Sequence, residues 1–95
     1  MKRVEFLDKA KSLISGKREE DYGTPRNNFT LIANLWTLWL EARFGVAVHI
    51  EPEDVAVMMQ QVKQARLAND ITHEDGWTDN IGYAALGGEI ATEDA

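Results

Sequence analysis

One stretch limits what this chain can become. Between Asn27 and Phe44, the residues Leu31, Ile32, Ala33, Leu35, Trp36, Leu38, Trp39, Leu40, Ala42 and Phe44 cover most of the circumference of a helix. A helix that is apolar nearly all round has to be buried on most of its sides. Asn27 and Asn28 are good N-cap types and Gly45 is a natural stop, which sets this helix at 27–44. A chain of 95 residues makes a single domain, and it has room for three more helices. Domains this small bury a modest share of their surface. The pattern therefore predicts a second chain. Homodimerisation is expected, with Leu35, Trp36, Trp39 and Leu40 as interface residues.

A narrow polar stripe survives on the same helix: Asn27, Thr30, Asn34, Thr37 and Glu41, at steps of three and four. Either it is the solvent face, the commoner case, or Asn34 and Glu41 look into a polar pocket between helices.

The remaining segments fall into place around it. Phe6, Leu7, Ala10, Leu13 and Ile14 recur at helical spacing within 1–17, with Gly16 as the stop. Residues 18–26 are a charged connector, too long for a tight turn and readable as a solvated linker or a functional loop. Val46 to Ile50 could form a strand, but no second strand exists to pair with it, so an apolar connector is expected. Glu51-Pro52-Glu53-Asp54 opens a helix over 52–68, with proline at its first position and acids in its first turn. Thr72-His73-Glu74-Asp75 is a capping arrangement that opens the last helix, 73–91. The fold class is all-α: four helices in a compact bundle, one domain, dimeric.

Composition removes several functions. Sixteen acids against ten Lys and Arg, a net charge of -6, argue against duplex nucleic acid as a partner. With no cysteine, thiol catalysis, disulfides and thiolate metal sites are excluded. The start Met1-Lys2-Arg3-Val4-Glu5 does not read as a secretory leader. No run approaches the roughly 18 apolar residues of a membrane span, so a soluble, cytoplasmic protein is expected. His49 and His73 lack metal-ligand spacing. No Ser/His/Asp order, phosphate loop or glycine-rich nucleotide fingerprint occurs.

Chemistry is best sought among the acids. Asp75 and Asp79 lie four apart on one helix face, where like charges repel. No Lys or Arg stands three or four residues away to relieve them. A divalent cation or basic groups on a neighbouring helix should do so. Asp75 also suits a capping box with Thr72, which leaves Asp79 as the stronger site candidate. Asp54 reads as a first-turn acid. Lys63 and Arg66 share a face with Met59 and Asp70. They suit phosphate or carboxylate binding, and equally salt bridges to Asp70 or to the acids of the last helix. Trp77, beside Gly76 at a helix start, is the tryptophan placed to reach a ligand.

Taken together, Asp21-Tyr22-Gly23-Thr24-Pro25, Asn28-Phe29, Ile32-Ala33-x-Leu35-Trp36, Asp54-Val55-Ala56-x-Met58-Met59, Lys63-x-x-Arg66 and Asp79-x-x-Gly82-Tyr83-Ala84 resemble a family of small phage and prophage proteins of unassigned function. That family is in turn similar to the all-α nucleotide pyrophosphohydrolases of the MazG and dimeric dUTPase type. The resemblance covers residues 18 to 90. It implies a helical oligomer in the cytoplasm of a bacterial host cell. It also implies a Mg²⁺ (or Mn²⁺) cofactor that supports cleavage of a nucleoside triphosphate to monophosphate and pyrophosphate. Asp79, Asp75 and Asp54 would be the metal ligands, and Lys63, Arg66, Trp77 and Tyr83 would bind the nucleotide. No residue is assigned as catalytic. The sequence departs from the larger group: no Glu-x-x-Glu occurs in the second or third helix, and Gly76 stands three before Asp79. Loss of catalysis with the fold retained is the alternative, leaving a helical homodimer that acts as a protein-interaction module.

Overall fold

The computed structural model describes residues 1–16 and 23–93. It contains four helices and, among the described residues, no strand: α1 Arg3–Ile14, α2 Pro25–Phe44, α3 Pro52–Asn69 and α4 Glu74–Thr92. The chain is all-α, as the spacing predicts. The connector Lys17 to Tyr22 lies outside the described residues.

Helix ends differ from the expected ones where capping chemistry decides. α2 begins two residues earlier than Asn27, because Thr24 caps it by accepting from Asn27 N at 3.2 Å and Pro25 takes the first turn. It stops at Gly45, whose φ of 66° is the left-handed conformation that ends helices. α3 opens on a capping box made by Glu51 and Asp54. α4 is capped by His73, whose Nδ1 accepts from Gly76 N at 3.1 Å. Thr72 is instead drawn to Asp70 Oδ1 at 2.9 Å, so the expected Thr72–Asp75 box gives way to a tight turn built on Asp70.

α3 and α4 form the centre. α2 packs on α3 and touches α4, whereas α1, among the described helices, packs on α4 alone. The core is Phe29 and Ala33 from α2, Ile50, Val55 and Ala56 from α3 and its approach, and Leu86 and Ile90 from α4. Ile14, Ile32, Trp36, Leu40, Met58, Met59 and Tyr83 close over it. Among the described residues, Phe29, Ile90 and Val55 are the large apolar side chains sealed most completely, with Leu86 and Leu67 nearly so. At roughly 1.5–3 kcal/mol each, they make a thin core.

Glycines set how closely α4 sits to its neighbours. A Cβ on Gly87 would lie 2.6 Å from Ala56 Cβ, and one on Gly76 would lie 2.7 Å from Leu67. These two contacts run α3 and α4 antiparallel at close range. The Val46–Ile50 connector is irregular, as expected. Thr37 on α2 holds its end, accepting from Ile50 N at 2.9 Å while donating to Ala33 O. Asn27, Asn34 and Glu41 of the polar stripe face solvent, so no polar pocket forms between helices there.

Gly87→Ala is expected to destabilise the fold. The helix-propensity gain of about 1 kcal/mol is outweighed by an overpacking cost of about 1–3 kcal/mol, since Ala56 Cβ is fixed to backbone. Gly88→Ala, with open space around its Cβ, should stabilise by up to about 1 kcal/mol. Urea melts of the two variants check the opposite signs.

Candidate functional site

The antiparallel register of α3 and α4 brings Lys63 onto Asp79. Lys63 Nζ lies 3.1 Å from Asp79 Oδ2, with the side chains 14% and 31% exposed. Asp75 is met from the other side by Lys9 of α1, at 2.9 Å. The repulsion between Asp75 and Asp79 is thus relieved by two lysines on neighbouring helices, one of the two solutions expected. Hydrogen bonding to Lys9 holds the Asp75 carboxyl below the usual carboxylate range, and the same bond raises Lys9.

Asp54 joins neither pair. Its carboxylate accepts from Glu51 N at 2.9 Å and so caps its own helix. Nine residues separate it from Lys63, about 13 Å along α3. Oxygen ligands of Mg²⁺ crowd around the ion at about 2.1 Å, so Asp54 cannot share one with Asp79. Among the described residues no group of three His, Asp or Glu side chains could hold a metal ion. The donor set implied for Mg²⁺ does not fit this arrangement.

The nucleotide-binding candidates are also dispersed. Lys63 is spent on Asp79. Arg66 is exposed, beside Asn69, Asp70 and His73 in an open groove of about 640 Å³ between the end of α3 and the start of α4. It forms no ion pair among the described residues, because Asp70 accepts from Thr72 instead. Trp77 donates its indole N–H to Ile71 O at 2.9 Å and lines a groove with residues of α1. Tyr83 sits 6.3 Å from Phe29, ring to ring, and lines a cavity of about 150 Å³ with Asp79, Leu13 and Ile14. That cavity is too small for a nucleotide, since ligand pockets run to about 300 Å³ or more.

A different surface stands out. Along α2, Leu31, Leu35, Leu38 and Trp39 are 54–64% exposed, and Phe44 is 60% exposed. Of the four expected interface residues, Leu35 and Trp39 lie on this face, while Trp36 and Leu40 pack against the chain's own core. A second apolar groove, of about 550 Å³, runs between Val4, Phe6 and Leu7 of α1 and Trp77 and Ile81 of α4. Sequence reasoning missed this groove because it depends on which helix α1 packs against. It also missed Arg26, which donates to Glu93 and to Ile90 O and ties the start of α2 to the end of α4. A pairing across 67 residues leaves no local signal.

With this geometry in view, comparison with known proteins places the chain. A family described as a domain of unknown function, DUF6378, matches residues 5–91. The chain belongs to that family. The Gene 55 protein of Mycobacterium phage L5 is 37% identical over 83 residues, covering 87% of this chain and 50% of the relative. The Gene 55 protein of Mycobacterium phage D29 is 41% identical over 79 residues, covering 83% of this chain and 48% of the relative. The chain therefore spans about half the length of these curated relatives. Kinship with phage proteins agrees with the resemblance noted in the sequence. No solved structure matches.

Two outcomes follow for the ion pairs. Asp79→Asn should cost about 1–2 kcal/mol, less than a fully buried pair because the carboxylate is about a third exposed. The double change Lys63→Met with Asp79→Leu should cost less than the sum of the single changes, measured by chemical denaturation. For Asp75, the lowered pKa means that its stabilising contribution is present above the ordinary carboxylate range. It is lost as pH falls through the lowered value. The gap in melting temperature between parent and Asp75→Asn should therefore close on acidification while it persists at neutral pH.

Proposed function

We propose that this chain is a protein-interaction module that works as a homodimer through the exposed apolar face of α2. The observation that carries the reading is the row Leu31, Leu35, Leu38 and Trp39, each more than half exposed on a helix that already contributes Phe29 and Ala33 to the core. Exposed apolar patches of this kind, rimmed by polar residues, mark association sites. The surface area points the same way. The chain exposes 6681 Å², whereas a compact domain of 10.7 kDa exposes about 5,500 Å². The excess is sufficient for a standard interface, which removes about 800 Å² from each partner.

Hydrolysis of a nucleoside triphosphate would need carboxylates free to hold a metal. Asp75 and Asp79 are each neutralised by a lysine, and Asp54 caps its helix. The interaction reading uses none of them, and neither the family description nor the names of the two phage relatives specify an enzymatic activity.

The parent protein should sediment as a dimer at micromolar concentration, and Leu35→Glu should sediment as a monomer with its helical circular dichroism retained. Melting temperature should not respond to Mg²⁺ with any deoxynucleoside triphosphate. Ligand that binds the native state raises it by mass action, so a shift that needs both metal and nucleotide would overturn the non-catalytic reading.

A further inference from the structure

The exposed face of α2 carries more information than its hydrophobicity. Leu31, Leu35, Leu38 and Ala42 follow one another at steps of four, three and four. That is the spacing of a coiled-coil seam. All four are exposed and lie along one side of the helix. Resting on the homodimer reading above, we infer that α2 pairs with α2 of a second copy in antiparallel orientation, with the twofold axis passing between Leu35 and Leu38. In this register Leu35 of each copy faces Leu38 of the other, and Leu31 faces Ala42.

Two observations select this arrangement. The first is size. Antiparallel pairing sets the large Leu31 against the small Ala42 at both ends of the seam. Parallel pairing would stack leucine on leucine at one end and leave an alanine gap at the other, and gaps cost stability. The second is the helix dipole: aligned dipoles oppose a parallel pair, whereas the antiparallel pair sets the positive end of each helix beside the negative end of the other.

The chain has no cysteine, so single introduced thiols report the register without interference. A disulfide requires Cα atoms within about 7 Å. In the antiparallel seam, position 31 lies level with position 42 of the second copy and about 16 Å along the axis from position 31 of that copy. Leu31→Cys and Ala42→Cys proteins, both altered at exposed sites, are mixed and oxidised at a concentration where sedimentation shows a dimer. The mixture is expected to give the mixed disulfide, and each variant alone is expected to give none. Homodisulfides of each variant alone would establish a parallel pair and overturn the register. A sedimenting dimer that forms no disulfide in any combination would place the interface elsewhere, overturning the seam while leaving the homodimer reading intact. A parent protein that stays monomeric would overturn both.

Discussion

The structure depends on an imbalance in α2. This helix carries apolar residues around most of its circumference, and its three companions cover only part of it. Phe29 and Ala33 are sealed into the core, with Trp36 and Leu40 partly buried against it. The side bearing Leu31, Leu35 and Leu38 is left to water. Burial of apolar surface is the dominant favourable term in folding and association. In so thin a core, an uncovered row of leucines is a large share of what the chain has to spend on stability. The proposed pairing of α2 with a second copy redirects that surface into an interface.

The centre of the molecule follows a different rule. Close approach at Gly76 and Gly87 fixes the register between α3 and α4, and the register decides which charges meet. Lys63 meets Asp79, while the spacing along α3 leaves Asp54 a separate capping task. The electrostatics of the acids is thus a consequence of glycine positions that carry no charge.

The elements were legible in the sequence because helical periodicity and capping residues are local signals. The position of Pro25, the stop at Gly45 and the Glu51–Asp54 box all express short-range chemistry. The departure at Thr72 is also local: Thr72 and His73 stand side by side, and the turn at Asp70 claims the threonine, leaving His73 as the cap. The site was less legible. Relief of Asp75 and Asp79 by lysines on other helices was expected as one of two solutions, yet nothing within the helix separates a lysine from a cation. Likewise Trp36 and Trp39 look alike by period, and only the packing direction of α2 sends one inward and the other to solvent. The groove beside Trp77 and the Arg26 clamp required knowledge of neighbours far along the chain.

α1 holds a particular position in this arrangement. Among the described helices it rests on α4 alone, it buries Ala10 as its single fully covered side chain, and its ion pair, Lys9 to Asp75, is exposed. Local stability tracks buried apolar contact. Opening α1 therefore uncovers the core only where Ile14 covers it, and leaves the contacts among α2, α3 and α4 in place. In hydrogen exchange its amides are expected to open earlier than those of α2, α3 and α4, as a helix that peels away from the other three.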